Sequence, residues 1–331
     1  MKNKVTVYDI ACKLDISPST VSRVLNNSSL IGEEKRHLIL AAAQELGYQK
    51  RPIKKQGCRA IINIRLFLPP AKYDYIHFFY DVAELIDGVQ QGFDATKVNI
   101  IISINNGDLL LFDSKKIGDI DGCIFAFTTP SSEMETLLEE RAIPYILLNR
   151  QEPENNHLVV DSLRGMECLV EAMWARHAAD FRPCFIGFSP LGPLSRLREQ
   201  GVRLTCAAHG TELLDSDVFN IEQINELQTT VLDTILARKY NCVLCFNDLL
   251  AVSIYQSTLR RGLLIPQTFS LSGFDNSPIL QLLDQRIDTI EFSIHALGVE
   301  AGVWLRSWII DRDFKPIQKK LEGTYVKGET I

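Results

Sequence analysis

Apolar residues recur every three to four positions in the first 47 residues of the chain, a spacing that predicts short amphipathic helices. The first predicted helix follows Thr6, whose hydroxyl can cap it. Its apolar stripe consists of Val7, Ile10, Ala11 and Leu14. Residues 15–17 then form a turn, and two helices joined by so short a turn are typical of a helix-turn-helix unit.

The second and third helices of this unit have their own start and stop signals. Ser17 is suited to the N-cap of the second helix and Pro18 to its first helical position, and the helix ends near residue 26. The third helix is predicted over residues 33–46, and Gly47 stops it. The residues expected to face inward on these two helices are Val21, Val24, Leu25, Leu38, Ile39, Ala42 and Leu46.

The pattern changes after residue 47. Residues 48–59 are basic, contain Pro52 and Gly57 and carry no usable apolar stripe, so they are predicted to be a linker. Beyond residue 60, apolar runs alternate with amphipathic segments, as in parallel strands joined by crossover helices. The expected strands are 61–68, 98–104, 122–127, 144–149, 157–160, 184–188, 241–246 and 269–274. The expected helices include 77–95, 131–141, 163–178, 194–208, 222–238, 248–262 and 295–311.

Charge adds an asymmetry between these two parts. Residues 1–59 hold eleven Lys and Arg against five Asp and Glu, a net charge of +6, whereas the rest holds 24 against 36, a net charge of −12. A basic first part on an acidic body is typical of a module that binds a polyanion, attached to a domain that avoids nucleic acid. A merely solvated basic face is the alternative that charge alone leaves open.

Other features of composition exclude several classes of protein. No run of about eighteen uncharged apolar residues is present and no apolar signal core follows Met1, so we expect a cytoplasmic protein. The eight cysteines form no paired framework, and Cys242 and Cys245 fall in a predicted buried strand, so reduced thiols are expected. The six histidines are not spaced as ligands and no nucleotide-binding or hydrolase motif occurs, so we expect no enzyme, no metal and no cofactor.

The second predicted helix carries side chains suited to DNA. Ser19, Thr20 and Ser22 are small enough to reach phosphates or base edges in a major groove. Arg23 can pair bidentately with a guanine. A three-helix bundle that contacts protein has the same residue types, and remains an alternative on these grounds alone.

Several stretches of the chain follow a known pattern in order and spacing. In the first 50 residues these are 5–11, Val-Thr-Val-Tyr-Asp-Ile-Ala, then 16–26, Ile-Ser-Pro-Ser-Thr-Val-Ser-Arg-Val-Leu-Asn, then 46–48, Leu-Gly-Tyr. The pattern continues at residues 120–124, 159–161, 198–201, 246–251, 261–266 and 272–276. Over its whole length the chain thus resembles the LacI/GalR family of transcriptional regulators.

The resemblance implies an α/β protein with an N-terminal three-helix helix-turn-helix headpiece and a two-lobed, periplasmic-binding-protein-like core of doubly wound parallel sheets. The implied domains are the headpiece at 1–47, a basic linker or hinge at 48–59, and the core at 60–331, with lobe one at about 60–161 and 291–318 and lobe two at about 162–290 and 319–331. It also implies a homodimeric, allosteric repressor that binds a palindromic double-stranded DNA operator, and a small effector bound between the lobes.

The DNA contacts of the family carry over to matching positions in the headpiece. These are Tyr8, Ser17, Pro18, Ser19, Thr20, Ser22, Arg23 and Asn26. In the linker, Gly57 stands where the family has a groove-inserting Leu, so we expect an extended segment in which Lys54 and Lys55 follow phosphates. A flexible tether with no DNA role is the alternative.

The effector positions of the family match Asn149, Arg198, Asn247 and Asp275. Their chemistry suits a sugar or sugar derivative, because Arg donates in a fixed fork, Asp accepts from two vicinal hydroxyls and Asn does both. The aromatic side chains that could cover a sugar ring, each equally suited to a core, are Phe67, Tyr73, Phe78 and Phe292.

One alternative function uses the same fold. A regulator that has lost its effector would act constitutively or through a protein partner, although the presence of Arg198 and Asp275 argues against it. A transport receptor would share the core but would need an export signal and no headpiece.

Overall fold

The computed structural model describes residues 7–14, 16–17, 20–21, 24, 33–46, 61–70, 81–112, 120–152 and 154–331. The chain divides into two compact units, residues 1–59 and residues 60–331. Each unit has its own hydrophobic core.

The first unit is built around two helices, α1 (Val7–Leu14) and α2 (Glu33–Glu45), which contact each other. Residues 20, 21 and 24 are also helical. As predicted, Ser17 acts as a cap, since its Oγ accepts a hydrogen bond from the backbone N–H of Thr20 at 3.2 Å. The buried side chains of this unit are Ile10, Ala11, Val21, Val24, Ile39, Ala42 and Ala43.

Leu38 departs from the predicted stripe of α2, because 59% of it is exposed. The stripe that packs inward consists of Ile39, Ala42, Ala43 and Leu46. These residues are spaced i, i+3, i+4 and i+7, which places them on one face of a helix. Leu38 precedes Ile39 and therefore lies about 100° around the helix axis from the centre of that face.

The first lobe of the second unit contains a six-stranded sheet. Its elements are β1 (Ile62–Leu68), α3 (Val82–Gly92), β2 (Val98–Ile104), β3 (Gly122–Ala126), α4 (Ser132–Glu140), β4 (Tyr145–Leu148), β5 (His157–Val160) and, from later in the chain, β11 (Gln318–Leu321). The strand order is β11-β5-β4-β3-β1-β2, and all neighbours are parallel. Strand β3 is buried along its length, as its apolar run predicts for the centre of a parallel sheet.

The second lobe contains a four-stranded parallel sheet. Its elements are α5 (Ser162–His177), β6 (Pro183–Phe188), α6 (Gly192–Ala208), β7 (Val218–Ile221), α7 (Thr230–Arg238), β8 (Cys242–Cys245), α8 (Asp248–Arg260) and β9 (Ser270–Ser272). The strand order is β7-β6-β8-β9. Because β6 has later strands on both sides, the order reverses next to it, which makes this a doubly wound sheet.

Two short strands join the lobes. β10 (Thr289–Glu291) leads out of lobe two into α9 (Ile294–Arg306), which packs on α3 of lobe one. β12 (Thr324–Val326) returns from β11 and pairs antiparallel with β10. We call β10 and β12 the crossing strands, because each lies at a passage of the chain from one lobe to the other.

Glycines allow α9 to approach α3 closely. A Cβ at Gly302 would overlap the backbone carbonyl oxygen of Val89, and one at Gly92 would overlap that of Val299. A backbone atom cannot swing away as a flexible side chain does, so a larger residue at either position would push the helices apart. These contacts determine where α9 lies after it leaves the crossing strand β10.

The predicted strands and helices from β1 to β9 are observed with shifted ends, except that residues 77–80 of the predicted helix 77–95 lie outside the described residues. The periodicity missed β7, β10, β11 and β12. Each of the four contains only three or four residues and lies in no longer apolar run, unlike β4, β5 and β8, which are as short but are rich in consecutive apolar residues. The predicted helix 222–238 is a 3-10 turn, Ile224–Gln228, followed by α7. The predicted return to lobe two at about residue 319 comes later, since β11 extends the sheet of lobe one to Leu321.

The cysteines that the structure describes are all unpaired. Cys242 and Cys245 are fully buried in β8, and burial raises the pKa of the Cys245 thiol well above its ordinary value. Within the described parts of the chain, no helix is long and apolar enough to cross a membrane.

Candidate functional site

A cavity of about 380 Å³ lies between the two lobes. Its wall is formed by residues that follow β1, β3 and β4 in lobe one, and β6, β8 and β9 in lobe two. Ligands of doubly wound proteins bind at the carboxyl ends of the strands, so this is the expected place for a site. The lining residues are Pro69, Pro70, Phe127, Thr128, Thr129, Asn149, Arg150, Pro190, Leu191, Pro193, Leu194, Arg198, Phe246, Asn247, Asp275 and Phe292.

Arg198 extends from α6 to the floor of the cavity and is only 1% exposed. Its Nη2 donates to Asp275 Oδ1 at 2.7 Å, and its Nη1 donates to the carbonyl oxygen of Phe246 at 2.5 Å. The guanidinium carbon also lies 3.7 Å from the centre of the Phe274 ring, a cation–π contact. Arg198 is therefore held in one orientation, with its positive charge partly neutralised by Asp275.

Asp275 follows β9 and has an unusual backbone conformation. Its φ is 106°, and the next residue, Asn276, has a φ of 49°. Residues other than glycine rarely adopt positive φ values, and such strain concentrates at binding and catalytic sites. Burial raises the pKa of the Asp275 carboxyl, and the adjacent Arg198 acts in the opposite direction.

Two asparagines complete the polar part of the wall. Asn247 is the N-cap of α8, and its side-chain oxygen accepts a hydrogen bond from the backbone N–H of Leu250 at 3.2 Å. Asn149 follows β4 with a φ of 53°, a left-handed conformation that Asn tolerates better than most residues. Its backbone N–H donates to the carbonyl oxygen of Leu158 at 2.8 Å, which anchors Asn149 to the neighbouring strand.

The structure brings together the four polar residues predicted to bind an effector and one of the aromatic candidates, because Asn149, Arg198, Asn247, Asp275 and Phe292 line one cavity. Phe292 follows the crossing strand β10 and forms part of the apolar wall. Arg198, Asn247 and Asp275 are brought together within lobe two, and Asn149 joins them because lobe one faces lobe two across the cavity.

Phe67, the other described aromatic candidate, does not line the cavity. It is fully buried in lobe one, where its ring stacks on that of Phe125 with centroids 4.6 Å apart. The side chain of Phe67 lies in a second cluster between the sheet and α4, because successive residues of β1 point to opposite faces. The other two candidates, Tyr73 and Phe78, lie outside the described residues.

Sequence reasoning missed the rest of the wall. In lobe one it missed Thr128 and Thr129, which are held by Asn105, whose Nδ2 donates to Thr128 Oγ1 at 2.9 Å and to the carbonyl oxygen of Thr129 at 2.7 Å. In lobe two it missed the apolar segment around Leu191 and Leu194. Both segments follow predicted strands, and this position at the carboxyl end of a strand could have identified them as candidates for the cavity wall.

In the headpiece, few of the predicted DNA contacts can be placed. Tyr8 lies on α1, and Ser17 Oγ lies 2.7 Å from Thr20 Oγ1 at the start of the second helix. The other headpiece and linker candidates, Pro18, Ser19, Ser22, Arg23, Asn26, Lys54 and Lys55, lie outside the described residues.

Two family models match the chain. Residues 6–50 match the model described as bacterial regulatory proteins, lacI family, and residues 170–331 match the periplasmic binding protein-like domain. Together they span more than half of the chain. The HTH-type transcriptional regulator DegA of Bacillus subtilis (strain 168) is 26% identical over 312 residues, which cover 90% of this chain and 89% of that protein.

Solved structures share the fold over the whole chain. The transcriptional regulator CelR–cellobiose complex has a TM-score of 0.69 at 17% identity, covering 99% of this chain and 100% of that one. The lac repressor dimer bound to operator and the anti-inducer ONPF has a TM-score of 0.66 at 16% identity, covering 99% of both chains.

The family models and the relatives agree with the order of elements in the structure, a helix-turn-helix headpiece followed by a core of parallel sheets. The family consists of transcriptional regulators, so the expectation that the chain is no enzyme is confirmed. The chain belongs to the LacI family of bacterial regulatory proteins and is a DNA-binding transcriptional regulator.

Proposed function

We propose that this regulator is a cytoplasmic, homodimeric repressor whose affinity for a palindromic operator is controlled by a sugar or sugar derivative bound in the cavity. The observation that carries the proposal is the convergence of Arg198, Asp275, Asn247 and Asn149 on one space of about 380 Å³. An isolated hydrogen-bonding group is common on a surface, whereas four such groups around one cavity suit a ligand with several hydroxyls.

The chemistry of each group supports a carbohydrate. Arg198 supplies donors, the carboxylate of Asp275 supplies acceptors and the asparagine amides supply both, which matches the mixed donor and acceptor character of sugar hydroxyls. Phe292 offers an apolar surface to the face of a ring. The solved CelR structure, which shares the fold, is a complex with cellobiose.

Control of DNA binding would follow from contacts to both lobes. Asn149 belongs to lobe one, whereas Arg198 and Asp275 belong to lobe two. A ligand that touches both walls binds one arrangement of the lobes more tightly than another, and it shifts the population by that difference in affinity. The short crossing strands β10 and β12 are the part of the core that would bend.

The proposed DNA surface is the headpiece with its linker. The side chains assigned to it are Tyr8, Ser17, Pro18, Ser19, Thr20, Ser22, Arg23, Asn26, Lys54 and Lys55. The net charge of +6 on residues 1–59 supports the assignment, because phosphate contacts provide much of the affinity for DNA. The lac repressor structure, which shares the fold, is a dimer bound to operator.

A thermal-shift screen of sugars and sugar phosphates on the full chain tests the proposal for the effector. A binder raises the unfolding temperature, because it adds RT ln(1 + [L]/Kd) to the stability of the folded state. We expect at least one sugar to do so for the natural chain but not for Asp275→Asn. Asp284→Asn, which changes an exposed carboxylate outside the cavity, is the matched control. If no compound shifts the natural chain, regulation without an effector, constitutive or through a protein partner, takes the place of this proposal.

Gel shifts test the proposal for the headpiece. Arg23→Ala should weaken operator binding by about 1–3 kcal/mol and non-specific binding by less, because a bidentate contact to guanine reads sequence. Equal losses on operator and on random duplex would assign Arg23 to a phosphate instead.

A further inference from the structure

Asp248 is a carboxylate behind the cavity that solvent does not reach. It is the first residue of α8, directly after the cavity residue Asn247, and its exposed fraction is 0%. It is not among the residues that line the cavity. Burying a charged group costs free energy unless hydrogen bonds or opposite charges compensate for the lost water, so the neighbours of Asp248 indicate its role.

The carboxylate of Asp248 joins two segments that are separate in the sequence. Its Oδ2 accepts a hydrogen bond from the backbone N–H of Ser277 at 2.6 Å, in the loop that carries Asp275. Its Oδ1 accepts one from Thr289 Oγ1 at 2.6 Å, on the crossing strand β10. One side chain thus connects the loop of a cavity residue to a segment that joins the lobes.

The loop needs such support because its backbone is strained. Asp275 and Asn276 both have positive φ values, and residues in these conformations persist only when the surrounding structure holds them. Thr289 Oγ1 also accepts a hydrogen bond from the backbone N–H of Asn276 at 3.3 Å. On the other side, a Cβ at Gly273 would overlap the Asp248 carboxylate, so the loop fits closely around it.

We propose that Asp248 is a positioning residue, which holds Asp275 in its binding conformation and ties that conformation to the crossing strand β10. The effector would then be sensed through Asp275 and transmitted to the strands between the lobes by way of Asp248 and Thr289. That last step rests on the proposed function, whereas the support of the loop does not.

The charged groups around Asp248 predict that the connection depends on pH. Burial and the negative charge of Asp275 raise the pKa of Asp248 to about 7, and the hydrogen bonds from Thr289 and Ser277 act in the opposite direction. Asp275 itself pairs with Arg198 at 2.7 Å, and the neighbouring thiol of Cys245 has its pKa raised by burial and by the charge of Asp248. Asp248 therefore takes up a proton near neutral pH.

The direction of this pH dependence follows from the linkage between protonation of Asp248 and opening of the loop at residues 273–277. When the loop opens, water reaches Asp248 and its pKa falls towards the ordinary value, so the closed loop binds the proton more tightly than the open one. The closed loop is most favoured in acid, and it becomes less favoured as the pH rises to about 7. An asparagine at position 248 would imitate the protonated form, with its oxygen facing Ser277 N–H and its amide facing Thr289 Oγ1.

Hydrogen exchange on the full chain without any ligand tests this inference. The measurement is the protection of residues 273–277 at pH 5.5 and pH 8, corrected for the intrinsic exchange rates. In the natural chain we expect about thirtyfold greater protection at pH 5.5, because pH 5.5 lies about 1.5 units below the pKa of the closed state. Asp248→Asn should show the higher protection at both pH values. Asp275→Ala should shift the pH step to lower pH, because the charge that raises the Asp248 pKa is gone.

Two further variants complete the test. Thr289→Val should lower the protection of the loop at both pH values, and it remains available if Asp248→Asn fails to fold. Ser253→Ala is the control, because it removes a buried hydroxyl that has no hydrogen-bond partner and lies further along α8. It should show the same change of protection with pH as the natural chain. A natural chain with no step, or a step that persists in Asp248→Asn, would overturn the inference. Because no sugar is needed, the result does not depend on the effector screen.

Discussion

The two walls of the cavity are held in place in different ways. In lobe two, Arg198 and Asp275 form a buried ion pair at 2.7 Å, and the backbone carbonyl of Phe246 holds the same guanidinium. In lobe one, Asn149 and Phe127 are presented by backbone conformations with φ values of 53° and 60°. Lobe two thus adds a buried ion pair to the strained backbone at Asp275 and Asn276, whereas in lobe one Asn149 is placed by its backbone conformation and by its backbone hydrogen bond to Leu158. We therefore expect substitutions at the cavity wall of lobe two to lower both stability and ligand affinity. Substitutions at the wall of lobe one should lower the affinity with little change in stability.

The largest loss of stability is expected from Arg198→Ala in lobe two. Removing one partner of a buried ion pair leaves the other charge without compensation, so the free energy of unfolding should fall by about 3–5 kcal/mol. Urea denaturation followed by circular dichroism measures it.

Arg196→Ala is the matched control on the same helix. Arg196 is exposed, so its loss should change the free energy of unfolding by no more than about 0.5 kcal/mol. If the two variants are equally stable, the buried pair is not what holds the wall of lobe two.

A smaller loss is expected from Gly302→Ala, which tests lobe one away from the cavity. The added methyl group meets the backbone of Val89 on α3, and overpacking of this kind costs about 1–3 kcal/mol. Val303→Ala changes the next residue of α9, which is 41% exposed, and should be close to neutral. Thermal unfolding of both variants decides the point, and a Gly302→Ala chain as stable as the natural one would show that the helices can move apart freely.

The smallest effect on stability is expected from Asn149→Gly. Glycine adopts the left-handed conformation without strain, so the unfolding free energy should change by no more than about 0.5 kcal/mol. The amide is lost, and with it about 1 kcal/mol of binding, a roughly five- to tenfold weaker affinity for the sugar identified in the screen. Calorimetric titration measures the affinity. A variant as unstable as Arg198→Ala would remove the proposed difference between the walls.

Much of the architecture could be predicted from local patterns. The headpiece helices and the strands of the core up to β9, apart from β7, produce periodicities or apolar runs within a few residues, and the structure has them near the predicted positions. The pattern failed where the local signal was short or ambiguous. The strand β11 reads Gln-Lys-Lys-Leu, which has no apolar alternation, and it forms only because β5 offers a paired edge.

Among the site residues, the resemblance identified the polar ones and the structure separated the aromatic ones. Phe67 and Phe292 were equivalent as apolar residues in the sequence, yet Phe67 packs inside lobe one and Phe292 lines the cavity. The face of a strand to which a side chain points depends on register and on what packs there, and a single residue type does not encode that.

The amino-acid sequence by itself determined the order of most elements, because periodicity depends on neighbours within a few positions, and its resemblance to the family identified the candidate residues for DNA and for an effector. Only the tertiary structure decided that Asn149, Arg198 and Asp275 surround one space and that Asp248 connects the loop of Asp275 to Thr289. Arg198 and Asp275 are 77 residues apart, and Asp248 and Thr289 are 41 apart. Contacts over such separations form only when distant segments pack together in the folded chain, and local periodicity carries no information about that packing.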